Sequence, residues 1–314
     1  MKTSAIIRIV LWSFVALLLT AVLCVSIAAP AWSFLPSFEN MNWGINVGGS
    51  NLSYANSELY TPAMEMVTLD GVSSISVNWP SGGVLVQAHD KSTVSFSETG
   101  AENADEEMKL HYYVTNNRLF VQFAKAKRWY GWSFPGKQLT MFVPQSMLQE
   151  LGVSSVSAKI ELKDFSAMKL DVESVSGDIS LLNLTANSCD VEQVSGRISG
   201  EGVNFADYDA QTVSGRAELS GSFQTLSHEG VSGSADYVSA VCPEEARISS
   251  VSGSMQLRIP ENPGFTARYE RVSGSFSSEF PAISEKNRSV YGDGSAEFSF
   301  ETVSGSISIM KLPV

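Results

Sequence analysis

The chain is poor in positive charge. Its 314 residues hold 21 Lys and Arg against 33 Asp and Glu, a formal net charge of −12. Binding to a phosphate backbone needs a basic footprint, so nucleic acid is not expected as a partner. Histidine is scarcer still: His89, His111 and His228 lie in different segments, and no two stand at metal-ligand spacing on one element. Nucleophilic catalysis needs one serine held against one histidine, and no serine here has a fixed base beside it. No catalytic residue is therefore expected. The repeated part of the chain also lacks apolar residues at the three- and four-residue spacing of an amphipathic helix.

What the chain has in quantity is a three-residue phrase. Val-Ser-Gly stands at Val175-Ser176-Gly177, Val194-Ser195-Gly196, Val213-Ser214-Gly215, Val231-Ser232-Gly233, Val251-Ser252-Gly253, Val272-Ser273-Gly274 and Val303-Ser304-Gly305, preceded by a degenerate Val156-Ser157-Ala158. The third positions, 158, 177, 196, 215, 233, 253, 274 and 305, are separated by 19, 19, 19, 18, 20, 21 and 31 residues. A constant period near twenty marks a repeat architecture.

Apolar residues recur in columns around each glycine. Two residues after it stand Ile179, Ile198, Ala217, Ala235, Met255, Phe276 and Ile307. Five before it stand Val172, Val191, Ala210, His228, Ile248, Tyr269 and Phe300, and seven before it Leu170, Cys189, Tyr208, Leu226, Ala246, Ala267 and Phe298. Each period thus holds two short runs of period-two alternation hinged at Ser-Gly. Glycine there permits a tight corner or a close backbone approach. A run of antiparallel hairpins would not explain the constant period. A β-solenoid does, because each turn lays its strands about 4.8 Å from those below and stacks like on like. The reading is all-β: a single-stranded β-solenoid of 19–21 residues per coil, preceded by one N-terminal transmembrane helix.

These repeats resemble those of the bacterial "putative-adhesin" family of β-helical proteins. Three further stretches agree with it: Ile75 to Val84, Gly136 to Pro144, and Tyr291-Gly292-Asp293-Gly294-Ser295 before the last repeat. The resemblance covers about residues 67 to 314. It implies a β-helix, right-handed in the coil, and an envelope setting with adhesion or envelope-stress roles. The family carries no agreed catalytic residues.

The N-terminus holds Lys2 and Arg8 and then no charge until Glu39. Ile9 to Ala29, 21 residues, is long enough to span ~30 Å of hydrocarbon at ~1.5 Å per residue. A secretory signal has a shorter apolar region, which favours a retained anchor over cleavage at Ala29-Pro30-Ala31. Cys24 follows Leu23 rather than a small residue, against a lipoprotein site. After Arg8 the next basic residue is Lys91, so the positive-inside rule places the N-terminus in the cytoplasm and the rest outside. The expected organisation is a cytoplasmic stub and anchor over 1–30, an extracellular tether over 31–66, an irregular β-rich cap over 67–150, and the regular solenoid with its C-terminal cap over 151–314. Strands are expected at 72–79, 84–88, 94–97, 110–114, 119–123 and 139–143, with Asn116-Asn117 as a tight turn and a brief helical turn near 145–151. The last step of 31 suggests an insertion, Pro281 to Asp293.

Two clusters are candidate binding sites. Asp171, Asp190 and Asp209 occupy one outward position in three successive coils, with Glu173 and Glu192 two residues further on. Like charges ~5 Å apart repel by about 1 kcal/mol even in water, so such a ladder suits a cation such as Ca²⁺. The plainer reading is a solvated acidic face, partly balanced by Asp178 stacked under Arg197 and Arg216. The segment from Lys125 to Lys137 is basic and aromatic in an acidic protein. Lys127, Arg128, Trp129, Tyr130, Trp132 and Phe134 suit sugar rings, anionic wall polymers or lipid headgroups; the alternative is an aromatic plug at the solenoid's open end. His228 and Cys189 fall in inward columns, as core residues. Cys189 and Cys242 lie three coils apart, about 14 Å, which is beyond disulfide reach, so two buried free thiols are expected.

The reading reached is a membrane-anchored, extracytoplasmic, non-enzymatic protein binding a cell-wall polymer or an envelope protein, with no cofactor beyond a candidate Ca²⁺. Two rivals stand beside it: a polysaccharide-acting β-helix enzyme on the Asp171–Asp190–Asp209 face, and the sensory or scaffold arm of a membrane complex.

Overall fold

The computed structural model describes residues 43–46, 51–102, 104–128 and 136–313. Across them the repeat columns become parallel ladders. Leu170 stands opposite Cys189, Val172 opposite Val191 and Ile179 opposite Ile198, and one stack further on Leu226 stands opposite Ala246 and Ala235 opposite Met255. Alternate residues point inward, and nearly all of those columns are buried. Two short 3-10 turns, Ser57–Leu59 and Glu106–Met108, are the helical content of the described residues. None of it is long and apolar enough to cross a membrane; the apolar run 9–29 lies outside the described residues.

Column volumes are balanced across the core. Where the position after the glycine shrinks to Ala217 and Ala235, Tyr208, Phe223 and Tyr237 fill the width, with ring centroids 5.8–6.2 Å apart. Close-packed interiors need this large-against-small compensation.

The Val-Ser-Gly corners bring neighbouring coils so close that a side chain has no room. A Cβ on Gly177 would overlap the carbonyl oxygen of Ala158, one on Gly215 that of Gly196, one on Gly233 that of Gly215, and one on Gly253 that of Gly233. Gly233 and Gly253 also carry φ of 137° and 146°, which L side chains rarely adopt. The first corner serines bind the preceding coil: the Ser176 and Ser195 hydroxyls donate to the carbonyls of Val156 and Val175, at 3.0 and 3.3 Å.

The stacking order departs from the chain order at both ends. Glu245–Ile259 pairs in parallel with Ala296–Lys311, which pairs in parallel with Gly264–Ser278 on its other side. The last coil of the chain is thus inserted between the two before it, and the Gly274 coil ends the stack. The reason is the insertion in the 31-residue step. It forms the hairpin Ile283–Glu285 and Arg288–Gly292, lies antiparallel on Gly264–Arg268, and returns the chain inside. At the other end, Ser74–Asn78 lies between Leu148–Ser155 and Arg118–Gln122, all parallel, and Gly83–His89 lies between Lys159–Lys163 and Gln138–Pro144. The outermost coil there is covered by antiparallel strands: His111–Thr115 on Arg118–Gln122, and Val94–Thr99 on Gln138–Pro144.

All six strands expected between 72 and 143 form, and Asn116 and Asn117 turn with φ of 49° and 62°. Two expectations fail. Leu148–Ser155 is a strand where a helical turn was expected near 145–151, because Leu148, Leu151 and Val153 take up inward positions of the coil. Residues 51–66 are not a free tether. Leu52 and Tyr54 are buried, Ala63 joins the core, and the Tyr54 hydroxyl donates to the Ala124 carbonyl at 3.0 Å while accepting from the Ala126 N–H at 2.9 Å. One apolar residue in two is enough to dock such a segment, and sparse Asn- and Ser-rich sequence hides it.

Candidate functional site

The acidic face forms as the repeat dictates. Asp171 stands opposite Asp190, and Glu173 opposite Glu192. Asp209 lies close enough to press electrostatically on Asp190 and Glu192. Lys169 interrupts the ladder, with its ammonium 3.0 Å from Asp171 and 3.9 Å from Asp190. Asp171 and Glu173 are buried, and Asp190 and Asp209 half-buried. Among the described residues, no group of three or more His, Cys, Asp or Glu side chains is gathered as a metal-binding cluster. The aspartates stand rung above rung, with an ammonium between the first two.

Burial and mutual repulsion raise the proton affinity of this face. Glu173 is pushed up to about 7 by burial first, against the Ser154 hydroxyl that donates to it at 3.0 Å, and then by Glu192 and Asp171. Asp190 is pushed up to about 6 by burial and by Asp171, with Lys169 opposing. Burial, Asp209 and Asp171 raise Glu192 too. The column expected to balance these charges does not do so by stacking. The Asp178 carboxylate accepts the Arg197 main-chain N–H at 3.0 Å, and Arg216 turns to Glu218 in its own strand at 2.8 Å.

The basic–aromatic segment is divided by the fold. Lys127 and Arg128 form a two-residue strand opposite Leu52 and Asn51. Trp129, Tyr130, Trp132 and Phe134 lie outside the described residues. Lys125 is exposed and 3.4 Å from Glu107. Lys137, expected as a flanking surface cation, is instead fully buried. Its ammonium sits 2.6 Å from the Glu98 carboxylate, donates to the carbonyls of Met108 and Phe123, and lies 4.1 Å from the Phe123 ring centroid and 5.0 Å from that of Trp79. Burial pulls it down to about 8, with Glu98 opposing. Its own carbonyl fills the glycine column, where a Cβ on Gly82 would overlap it, and accepts from the Trp79 indole at 3.1 Å. Nothing in the sequence pairs Lys137 with Glu98; only the antiparallel cover strand brings them together.

The histidines stay apart, each with local partners. His89 meets the Thr93 carbonyl at 2.6 Å, and His111 the Lys109 carbonyl at 2.9 Å. His228 is a satisfied core residue, 2.8 Å from the Tyr237 hydroxyl and 3.5 Å from that of Thr212, and burial lowers it to about 4. Cys189 and Cys242 are both free. Cys189 is buried; Cys242 is half-buried, because it stands at the bend after the coil's second strand rather than in an inward column.

Comparison with known proteins agrees with this architecture. A family model described as Toastrack DUF4097 matches residues 72–310. A solved structure described as a "putative lipid binding protein" from Parabacteroides distasonis is 16% identical and covers 81% of this chain and 97% of its own, with a TM-score of 0.50. One described as a "putative adhesin" from Bacteroides fragilis is 12% identical and covers 80% of this chain and 99% of its own, with a TM-score of 0.44. At such identities the likeness is one of fold. No curated protein matches the sequence.

Proposed function

Because the chain belongs to the Toastrack DUF4097 family, we propose that it is an adhesin-like, non-enzymatic envelope protein whose solenoid is held outside the cytoplasmic membrane by the apolar segment 9–29. Its ligand is a cell-wall polymer or another envelope protein. The observation that carries this reading is the distribution of chemistry over the coils. The corner hydroxyls of Ser157, Ser176 and Ser195 are bonded to the neighbouring coil, and the histidines are tied to separate local partners. What remains for contact is an extended, repetitive surface, which suits an extended partner. Lys2 and Arg8 before the apolar run support the orientation.

The test is sedimentation of the full-length protein, in detergent, with purified wall, lipid vesicles and intact envelope, each with and without Ca²⁺. Saturable binding to one fraction supports the reading, and binding lost on deleting 129–135 assigns it to the aromatic segment. Calcium-dependent binding lost in Asp190→Asn assigns it to the acidic face. Binding to no fraction refutes the adhesin reading and favours a scaffold arm of a membrane complex.

One observation favours the enzymatic alternative. Glu173 and Asp190 are carboxyls with raised proton affinity on a β-helix face, as a general acid requires. Polysaccharide turnover abolished by Asp190→Asn would replace the binding reading.

A further inference from the structure

The outward face of the first coils changes its chemistry along a single column. Phe120 stands opposite Ser76, Ser76 opposite Gly152, Gly152 opposite Asp171 and Asp171 opposite Asp190. Ile75, Val77, Leu151 and Val153 beside them are fully buried, so the alternation of a strand turns this column outward. An aromatic end and an acidic end are thus separated by two rungs that carry only a hydroxymethyl group and a hydrogen. Three steps of ~4.8 Å put the two ends about 14 Å apart.

The hollow over Ser76 and Gly152 has built walls. On one side Arg118 and Glu150 pair across the rung of Ser74, with the guanidinium 5.9 Å from the Phe120 ring centroid. On the other side Asn78 stands opposite Ser154, and Ser154 opposite Glu173. Tyr113 stacks on Phe120 from the far side, with centroids 6.3 Å apart and planes at 20°, so the remaining ring face looks toward Ser76. Among the described residues, a Cβ on Gly152 would meet nothing nearer than the Ile75 carbonyl oxygen at 4.0 Å. Phe120, Ser76 and Gly152 are all partly exposed. Asn78 leaves its strand on the same face as Ser76 and is 3% exposed, yet its side-chain oxygen has no hydrogen-bond partner among the described residues. Buried acceptors are normally satisfied, so an orphan beside an open hollow marks a place for an incoming donor.

We propose that this hollow binds an uncharged saccharide two ring units long, with one ring stacked on Phe120 and the other reaching Asp171. Such binding narrows the wall-polymer reading to one site, and rests on that reading only for the source of the polymer. An aromatic face takes the apolar C–H face of a sugar ring, and a few placed polar groups fix its orientation. The polar groups here are rich in acceptors: the Asn78 oxygen and the carboxylates of Glu150, Asp171 and Glu173. Sugar hydroxyls are donors, which these oxygens need. The same carboxylates, in a chain of net charge −12, repel anionic polymers. A length of about 14 Å suits a disaccharide rather than a single ring.

The test uses the full-length chain in detergent with EDTA, and three probes: diacetylchitobiose, maltose and the anionic digalacturonate. Saturation-transfer NMR with titration should show saturable binding of at least one neutral probe and none of digalacturonate. Gly152→Leu fills the hollow and should weaken binding about tenfold or more, while the melting temperature stays that of the parent. Phe120→Ser removes the stacking surface and should weaken it as much, which keeps the test decisive if Gly152→Leu fails to fold. Binding of neither neutral probe, equal binding of digalacturonate, or affinity unchanged in either folded variant overturns the proposal. A chain that sediments with purified wall but takes up neither neutral probe loses this site and keeps the adhesin reading. One that binds a probe but no envelope fraction does the reverse.

Discussion

Gly253 presses its Cα so closely on the carbonyl oxygen of Gly233 that a Cβ would overlap it, and its φ of 146° disfavours any side chain independently. Gly253→Ala should therefore cost about 2–5 kcal/mol, from backbone strain and overpacking together. Gly136→Ala, where a Cβ would meet nothing within 4 Å, should be near neutral. Urea melts of the two variants check the pair. Equal stability would mean that the corners tolerate side chains and that the glycine column is not steric in origin.

Lys137 and Glu98 form a buried ion pair. Removing one partner leaves an uncompensated charge, so Lys137→Met should destabilise by roughly 3–5 kcal/mol. Adding Glu98→Gln should restore most of that loss. A double variant no more stable than the single one would show that the ammonium's bonds to the Met108 and Phe123 carbonyls matter more than its charge.

Glu173 sets a pH dependence whose sign follows from its raised affinity. Its folded value of about 7 lies above the unfolded value of about 4.3. Its contribution to stability is therefore fully present below about pH 4 and is lost as pH rises through 7, on the order of 3–4 kcal/mol. His228 acts oppositely. Lowered to about 4, it favours the fold above about 6.5 and withdraws that contribution as pH falls toward 4. The two partly cancel between pH 4.5 and 6.5. Glu173→Gln should raise stability at pH 8 and lessen its fall between pH 4.5 and 7, where Asp190, raised to about 6, still acts in the same sense, as thermal melts against pH would reveal. An unchanged profile would place Glu173 in water.

The free thiols should differ in reactivity. Burial raises Cys189 well above its ordinary value, and Cys242 to about 11, so neither is a ready thiolate at pH 7. Cys242, half-buried, should alkylate slowly in the native protein, and Cys189 only on unfolding. Mass spectrometry of iodoacetamide-treated protein reads this directly. Rapid native labelling of Cys189 would mean that its coil opens.

The repeat was legible because a solenoid writes its contacts into its period. Residues 19 or 20 apart become neighbours, so Leu170 over Cys189 and Asp171 over Asp190 could be read by subtraction. His228 was recognisable as a core residue on the same ground. The inward columns, the corner glycines and the acidic face are local consequences of a constant step.

The tertiary structure alone decided whatever breaks that step. Insertion of the Gly305 coil between those of Gly253 and Gly274 depends on a hairpin folding back, and the 31-residue gap announces an insertion without its direction. The burial of Lys137 against Glu98, and the docking of Tyr54 on Ala124, join residues 39 and 70 positions apart in segments with no period. Sequence determines contacts where one short-range rule repeats. Where a strand can lie on either of two free edges, the choice belongs to the packing of the whole stack, because both edges offer the same main-chain hydrogen bonds.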